Sequence, residues 1–441
     1  MQLWGGIECT VNRIGDRTFD QLERGGHASR LGDLDLCADL GLRTLRYPVL
    51  WERTAPHGLA QADWTWADQR LARLQTLGID VVAGLVHHGN GPIDTHLLDP
   101  EFGEKLAGYA RAVAARYPHL QAFTPINEPL TTARFCGLYG HWHPHGRDPL
   151  TFARCLLSQC RATVLAMRAI REVSPHARLV QNEDIGKTYA APRLSYQADF
   201  ENDRRWLTFD LLCGRVRPGH SMYGYLTRYG IPPAELNWFL DNPCPPDLLG
   251  IDYYVTSERF LDDNLAPYPP WTHGHNGREP YADVEAVRVC PDGAPNLAAI
   301  LAESWARYHI PLAVTEAHLG CTPDEQVRWL WDIWQAALAA QKAGADVRAV
   351  TAWSLFGAYD WNSLLTRWEG CYEPGVFDTS SGTPHPTLLA DLVRSLAAGQ
   401  VPHLDDLATP GWWRRPDRLL YPPVPARMAA VPRPRLARHS P

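Results

Sequence analysis

The chain has 441 residues and a formal net charge of -7, and 45% of its residues are hydrophobic. A chain of this length can form either two domains or one large barrel that carries insertions. The acidic balance, with charged residues interspersed along most of the chain, argues against nucleic acid as a partner.

The first residues lack a basic segment followed by a long apolar run, so no signal peptide is expected. No apolar run reaches the length that spans a bilayer, which argues against a membrane partner. The ten cysteines are scattered without a CxxC pair, a distribution typical of reduced thiols that serve in packing. These observations predict a cytoplasmic protein.

Short apolar or β-branched runs alternate along the chain with longer segments of helical period, which predicts repeated βα units and a parallel sheet. The eight predicted strands are residues 3–9, 42–47, 79–86, 122–126, 179–182, 248–254, 312–316 and 349–354. The predicted helices between them include residues 68–77, 102–117, 152–173, 297–308 and 325–342. Eight such repeats predict a single (β/α)8 TIM barrel, whose chemistry lies at the C-terminal ends of the strands.

Two insertions, residues 215–242 and 264–280, are predicted to be irregular loops. Such loops either shape a substrate pocket or form mobile surface excursions. Proline and arginine crowd the chain after Thr409, which predicts an extended, partly disordered tail that contacts the barrel only through Trp412 and Trp413. We therefore expect a catalytic domain over residues 1–400 and a tail over residues 401–441.

Two glutamates stand at the ends of apolar runs that we predict to be buried strands. Glu128 lies between Asn127 and Pro129, and Pro129 cannot continue a sheet ladder. Glu316 ends the seventh predicted strand. Considered alone, Glu128 could cap a helix and Glu316 could form a structural ion pair. Considered together, two carboxyl groups at one barrel mouth are the arrangement that cleaves glycosidic bonds.

These motifs, in this order over roughly residues 3–395, resemble glycoside hydrolase family 1, the β-glucosidase-type retaining glycosidases. The resemblance implies that Glu128 is the general acid/base and Glu316 the nucleophile. It also implies that Arg46 contacts the nucleophile and that Tyr254 orients it.

The same resemblance implies a sugar site. His87 is similar to the histidine that binds a sugar hydroxyl, Trp353 is similar to the tryptophan under the sugar ring, and Asn127 is expected to hydrogen-bond a hydroxyl. Period-two alternation places Asp252 on the same inward face as Tyr254, so Asp252 is expected to support the site.

Four positions depart from the family pattern. The chain has Asn12 where the family has glutamine, with Glu8 nearby as an additional carboxylate. It has Asp360 followed by Trp361 where the family has glutamate and tryptophan, and His88 where a tryptophan is usual. We expect all five residues to contact or support a substrate. The resemblance thus implies the type of reaction but does not extend to the identity of the sugar.

Two other patterns have competing interpretations. His141, His143 and His145 have the density of a metal site, but no matched cysteine or carboxylate accompanies them, so a substrate-lining loop is favoured and no metal or cofactor is predicted. Glu183 repeats the Asn-Glu dipeptide of Glu128 without the following proline. It is expected to support the site from the fifth strand, where it could also touch substrate.

The sequence therefore predicts a retaining β-glycosidase that acts on a carbohydrate or glycoside. Two alternatives remain open at this point. The changes at positions that bind sugar hydroxyl groups would suit a carbohydrate-binding pseudoenzyme. The same covalent chemistry would suit a transglycosidase that passes the sugar to another alcohol.

Overall fold

The computed structural model describes residues 1–402 and 405–424, and it contains a closed barrel of eight parallel strands. The strands, in chain order, are β1 Gln2–Gly6, β2 Thr44–Pro48, β3 Asp80–Gly84, β4 Ala122–Thr124, β5 Arg178–Asp184, β6 Leu248–Asp252, β7 Leu312–Glu316 and β8 Val347–Ala352. Each strand pairs with its neighbours in sequence, and β8 closes the barrel by pairing with β1. All eight predicted strands are present, and the (β/α)8 prediction is confirmed.

The chain divides into two compact units. The first contains the barrel and consists of Met1–Asp184, Leu207–Tyr254 and Leu297–Thr409. The second is built from Ile185–Trp206, Val255–Asn296 and the described residues 410–424. The second unit therefore comes from the segments inserted after β5 and β6, together with the described chain that follows Thr409.

Helices follow the strands of the barrel unit. Apart from the four-residue helices Gln21–Arg24 and Trp51–Thr54, the α-helices of this unit are α1 Asp33–Asp39, α2 Thr65–Thr76, α3 Phe102–Arg116, α4 Pro129–Ala133, α5 Pro149–Val173, α6 Leu207–Leu212, α7 Tyr223–Arg228, α8 Pro233–Asp241, α9 Leu297–Tyr308, α10 Pro323–Lys342 and α11 Leu388–Ala397. The five predicted helices correspond to α2, α3, α5, α9 and α10. No helix in the described part of the chain is long and apolar enough to cross a membrane.

Residues 215–242 do not form the irregular loop that the sequence suggested, because they contain α7 and α8. Pro233 occupies the first turn of α8, where a proline costs no hydrogen bond and its ring already sets a helical φ. Leu236 and Phe239, three residues apart, give this helix a buried face. The prolines and glycines of the segment therefore start and end helices instead of preventing them.

The barrel interior changes character along the strand direction. Seven strands contribute a buried apolar cluster made of Trp4, Val82, Ala122, Val180, Leu248, Ala313 and Ala349. Further along the same strands the side chains become polar. Asn182 follows Val180 by two residues on β5, and Asp252 follows Leu248 by four residues on β6. The apolar layer supports the barrel from its N-terminal side, while polar groups collect at the C-terminal ends of the strands.

A register irregularity on β7 places one of these groups. Val314 pairs with Ile251, and Glu316 pairs with the next residue of β6, Asp252. Strand β7 therefore advances by two residues where β6 advances by one. Strict alternation would turn Thr315 and Glu316 to opposite faces of the sheet. Such an irregularity re-aims a side chain, and both Thr315 and Glu316 contact groups of the barrel interior.

The second unit contains a four-stranded sheet in the order His273–His275, Pro280–Glu285, Arg259–Asp262 and Thr188–Ala190. Residues 264–280, predicted to be irregular, therefore supply an edge strand. Described residues of the tail after Thr409 pack in this unit. The Arg288 guanidinium lies 3.8 Å from the Trp412 ring centre, and the Val424 N–H donates to the Val289 carbonyl. Residues 425–441 of the predicted tail lie outside the described residues.

Candidate active site

Glu128 lies between β4 and α4 in an unusual backbone conformation. It precedes the first residue of α4 with a φ of 43° and a ψ of 65°, in the left-handed region, and its carboxyl group makes no capping hydrogen bond. A non-glycine residue in this region carries a backbone strain of about 1–3 kcal/mol and is often found at a functional site. The interpretation of Glu128 as a helix cap is therefore not what the structure has.

Glu183 of β5 performs the capping instead. Its carboxylate accepts hydrogen bonds from the N–H groups of Leu130 (2.7 Å) and Thr131 (3.0 Å) at the start of α4. The hydroxyl groups of Thr131 and Thr208 donate to the same carboxylate. Glu183 is fully buried, and these four hydrogen bonds make it a support of the turn that presents Glu128. Its contact with a substrate stays a prediction.

Glu316 lies between two donors. Arg46 of β2 donates to Glu316 Oε1 at 2.8 Å, and the Tyr254 hydroxyl donates to Oε2 at 2.5 Å. Arg46 also donates to the Thr315 carbonyl oxygen at 2.7 Å and to Asn127 Oδ1 at 2.7 Å. One guanidinium thus orients both the carboxylate on β7 and the amide that precedes Glu128.

Burial raises the pKa of Glu316 to about 8, with a contribution from the nearby Asp252 charge, although Arg46 and Tyr254 act to lower it. The low value expected beside Arg46 is therefore offset by the dry surroundings. Burial and the charges of Asp252 and Glu316 raise the pKa of Glu128 well above its usual range, and none of the causes of that shift is cationic. Arg46 and Tyr254 therefore favour the ionised form of Glu316, and no cation among these causes does so for Glu128.

Asp252 lies between the two glutamates. Its Oδ1 accepts a hydrogen bond from the Thr315 hydroxyl at 2.7 Å, and its Oδ2 accepts one from the Asn182 amide. Its carboxyl group also hydrogen-bonds with that of Glu128. Burial raises the pKa of Asp252 to about 6, while Arg46 acts to lower it, so Asp252 ionises before either glutamate. Sequence alternation identified Asp252, but it did not reveal the part played by Asn182 and Thr315.

Aromatic rings line the space beside these carboxyl groups. The rings of His87 and Trp353 are stacked, with centroids 5.5 Å apart and planes 8° apart, and the Arg46 guanidinium lies 4.9 Å from the Trp353 centroid. A small cavity borders Arg46, His87, Asn127 and Trp353. The Trp353 ring offers an apolar face of the kind on which a sugar ring stacks.

A second aromatic group surrounds His88. Its ring centroid lies 5.2 Å from that of Trp142 and 5.9 Å from that of Trp361. Burial and the Arg46 charge lower the pKa of His88 to about 3, so the ring is neutral. The Trp361 indole donates to Glu8 at 3.1 Å, and the Thr10 N–H donates to the other oxygen at 2.8 Å. Burial raises the pKa of Glu8 to about 7.

Two of the residues predicted to bind sugar hydroxyl groups differ in how many of their polar atoms have a hydrogen-bond partner within the protein. Asn12 is buried, and neither its amide oxygen nor its amide nitrogen has a hydrogen-bond partner among the described residues. Such an unsatisfied buried amide is unusual in a finished core and suits a residue that binds a polar ligand. Asp360 Oδ1 accepts hydrogen bonds from the N–H groups of Cys371 and Glu369. Its Oδ2 lies 3.1 Å from Arg24 Nη2 but, like the Asn12 amide, has no hydrogen-bond partner among the described residues, so contact of Asp360 with a substrate stays a prediction.

The histidine-rich loop after α4 offers no metal-binding cluster. His145 binds the Gly140 carbonyl and the Gly15 N–H through its two ring nitrogens. Among the residues that the structure describes, no three histidine, cysteine, aspartate or glutamate side chains converge closely enough to hold an ion.

No family model matches the chain. Among curated relatives, β-glucosidase 4 of Oryza sativa subsp. japonica is 24% identical over 418 residues, which is 83% of each chain. The 6-phospho-β-glucosidase of Dickeya chrysanthemi is 24% identical over 363 residues, or 73% of each chain. A solved structure, the Thermotoga maritima β-glucosidase in complex with deoxynojirimycin, matches 91% of this chain and 98% of its own with a TM-score of 0.73 and 16% identity. The chain is thus similar to β-glucosidases over most of its length and shares the barrel fold of this solved structure.

Proposed function

We propose that the protein is a retaining β-glycosidase in which Glu316 is the nucleophile and Glu128 the general acid/base. The observation that carries this proposal is the contrast between two buried carboxyl groups at the mouth of one barrel. Glu316 is held by a cation and a hydroxyl, whereas Glu128 has no cation beside it and keeps its proton. The names of the curated relatives, a β-glucosidase and a 6-phospho-β-glucosidase, support the same reaction class.

The first step forms a covalent glycosyl-enzyme. The Glu316 carboxylate attacks the anomeric carbon while Glu128 gives its proton to the glycosidic oxygen, and the C–O bond to the leaving group breaks. Arg46 and Tyr254 hold Glu316 in place and limit its motion. In the second step Glu128, now ionised, removes a proton from a water molecule that attacks the same carbon, and the bond from that carbon to Glu316 breaks to release the Glu316 carboxylate. Two inversions at one centre leave the product with the configuration of the substrate.

The direct test is the stereochemistry of the first product. We expect NMR spectra taken early in the reaction to show the β-anomer from a β-glycoside, before mutarotation. First release of the α-anomer would refute the double displacement. If the protein binds nitrophenyl glycosides from a panel but hydrolyses none of them, the carbohydrate-binding pseudoenzyme is favoured. If it transfers the sugar to an added alcohol, it is a transglycosidase.

The assignment of the acid has its own test, in which Glu183 provides the matched control. We expect Glu128→Gln to reduce kcat by roughly 10²- to 10⁴-fold for a substrate with a poor leaving group and much less for one with a dinitrophenyl leaving group. Glu183→Gln disturbs the turn but removes no transferred proton, so both substrates should lose activity equally. A leaving-group dependence in Glu183→Gln alone would assign the acid to Glu183.

We also propose a cytoplasmic location. All ten cysteines are free thiols, and seven of them are buried, as is common for proteins of a reducing compartment. Fractionation of cells that express the full chain would test this, and recovery in an extracytoplasmic fraction would contradict it.

A further inference from the structure

The hydrogen-bond network around Glu128 has a direction that Arg46 determines. A guanidinium group can only donate, so Asn127 must turn its oxygen to Arg46, at 2.7 Å. The amide nitrogen of Asn182 donates to that same oxygen at 2.7 Å. Because this fixes the orientation of Asn182, its other N–H points to Asp252 Oδ2. Asp252 therefore receives a hydrogen bond on each oxygen, from Asn182 and from Thr315.

The other side of Asn127 has a consequence for His88. With its oxygen facing Arg46, Asn127 directs its NH2 group to His88 Nε2 at 3.3 Å. His88 Nε2 must then accept, and the ring proton lies on Nδ1, where Thr132 is 2.8 Å away. Glu128 Oε2, at 3.4 Å from His88 Nε2, consequently faces a lone pair and not a donor. Glu128 Oε1 is buried and has no hydrogen-bond partner among the described residues.

Glu128 and Asp252 thus have opposite surroundings within one hydrogen-bonded pair. Two carboxyl groups in hydrogen-bond contact share a single proton, because both cannot be ionised at close range. Asp252 is surrounded by donors, which stabilise a carboxylate, whereas Glu128 faces acceptors. The geometry therefore places the proton on Glu128 and the charge on Asp252.

We propose that Asp252 is a positioning residue that keeps the reactive proton on Glu128 in the free enzyme. This rests on the proposed function, in which Glu128 is the acid. During the first step the O–H bond of Glu128 breaks and the proton passes to the glycosidic oxygen. During the second step Glu128 takes a proton from water and the hydrogen bond to Asp252 forms again. Asp252 undergoes no net change in protonation.

Other charged or titratable groups near Glu128 are less suited to this part. They are His88 after β3, Glu183 and Asp184 on β5, Glu316 on β7, Arg46 on β2 and Tyr254 after β6. His88 is neutral and accepts, Glu183 is engaged with α4, and Arg46 and Tyr254 bind Glu316. The charge of Asp184 also raises the pKa of Glu128, and Asp252 is hydrogen-bonded to Glu128.

Asp252→Asn is the main variant because it keeps the shape of the side chain at position 252 and removes its negative charge. The side-chain amide that it introduces can donate to Glu128 and stabilise its ionised form, so the pKa of Glu128 should fall. We expect the basic limb of the kcat/KM profile to move to lower pH by about one unit or more for a substrate with a poor leaving group, while a dinitrophenyl glycoside loses less activity.

Thr315→Val is the matched control, because it removes a hydrogen bond to Asp252 but leaves the charge. It should lower the melting temperature to a similar degree and move the basic limb much less. If Asp252→Asn loses activity equally on both substrates and its basic limb does not move, Asp252 has only a structural role and the proposal is overturned.

A measurement without substrate separates this proposal from the proposed function and does not depend on the folding of an Asp252 variant. The infrared difference spectrum of the full chain, wild type minus Glu128→Gln, should contain a protonated carboxyl band at neutral pH that persists into the alkaline range. Absence of the band would overturn the proposal. If the band is present but no glycoside is hydrolysed, the proton placement stands and the enzymatic function fails.

Discussion

Two walls of the barrel mouth each carry a glutamate, and the two glutamates have opposite surroundings. On the wall formed by β2, β6 and β7, Glu316 contacts Arg46 and Tyr254. On the wall formed by β3, β4 and β5, Glu128 has a neutral histidine beside it and a neighbour, Glu183, that takes over the capping of α4. The comparison shows that identical carboxyl groups acquire different tasks from the donors that surround them.

The largest expected effect comes from removing the carboxylate of the first wall. Glu316→Gln cannot form the covalent intermediate, so we expect kcat to fall by roughly 10⁴- to 10⁶-fold on every substrate, whatever its leaving group. Nitrophenol release measured for a good and a poor leaving group checks this. If Glu316→Gln kept the activity of the wild type on both substrates, the two walls would not differ as proposed.

Removing the cation that distinguishes the walls should have the next largest effect. In Arg46→Met, Glu316 loses the group that lowers its pKa, so its pKa rises and the acid limb of kcat/KM moves to higher pH. The maximal rate should fall by roughly 10²- to 10³-fold, as for loss of one preorganised donor. Arg24→Met is the control, since Arg24 pairs with Asp360 in its loop and should leave the acid limb in place. A limb that moves to lower pH in Arg46→Met would contradict the assignment.

A smaller effect is expected when the support of the second wall is weakened. In Glu183→Gln, one amide oxygen replaces two carboxylate oxygens that accept four hydrogen bonds. The amide nitrogen then faces a donor, which costs about 1–3 kcal/mol of stability. Thermal unfolding should show a lower melting temperature, while Glu104→Gln, at an exposed position of α3, should leave it unchanged. An unchanged melting temperature in Glu183→Gln would indicate that the turn holds Glu128 without this cap.

The smallest effect concerns Asn12, which belongs to neither wall. Because its amide has no partner among the described residues, Asn12→Ala should not lower the melting temperature. If the amide binds a sugar hydroxyl equally well in the ground state and the transition state, KM should rise about 5-fold, the value of one hydrogen bond of about 1 kcal/mol, with kcat unchanged. Steady-state kinetics on the best substrate measure this. A fall in melting temperature with constant KM would make Asn12 a structural residue.

Much of the fold and several site residues could be predicted because their signals are local. Eight apolar runs separated by helical periods indicate a barrel without any knowledge of tertiary contacts, and Pro129 marks the end of a strand whatever surrounds it. The helices of residues 215–242 were missed because proline and glycine were interpreted as loop formers, although Pro233 starts a helix whose buried face is only two residues wide.

The remaining features depend on contacts between distant segments. Alternation alone would turn Glu316 away from Thr315, and only the irregular pairing of β7 with β6 brings both inside. Backbone donors at Glu369 and Cys371, further along the chain, bind one oxygen of the Asp360 carboxyl group, and no local pattern indicated this contact. Glu183 and Glu128 have the same Asn-Glu signature, and their tasks separate only because the N-terminus of α4 lies against β5.

By itself the sequence determined the barrel and the two glutamates at its mouth, because hydrophobic period, strand length and chain breakers act within a few residues. The tertiary structure decided which carboxyl group keeps a proton. That outcome depends on burial and on the direction of hydrogen bonds that begin at Arg46 on β2 and end at Asp252 on β6. Charges and donors this far apart in the chain meet only after folding, so no local pattern could have specified their balance.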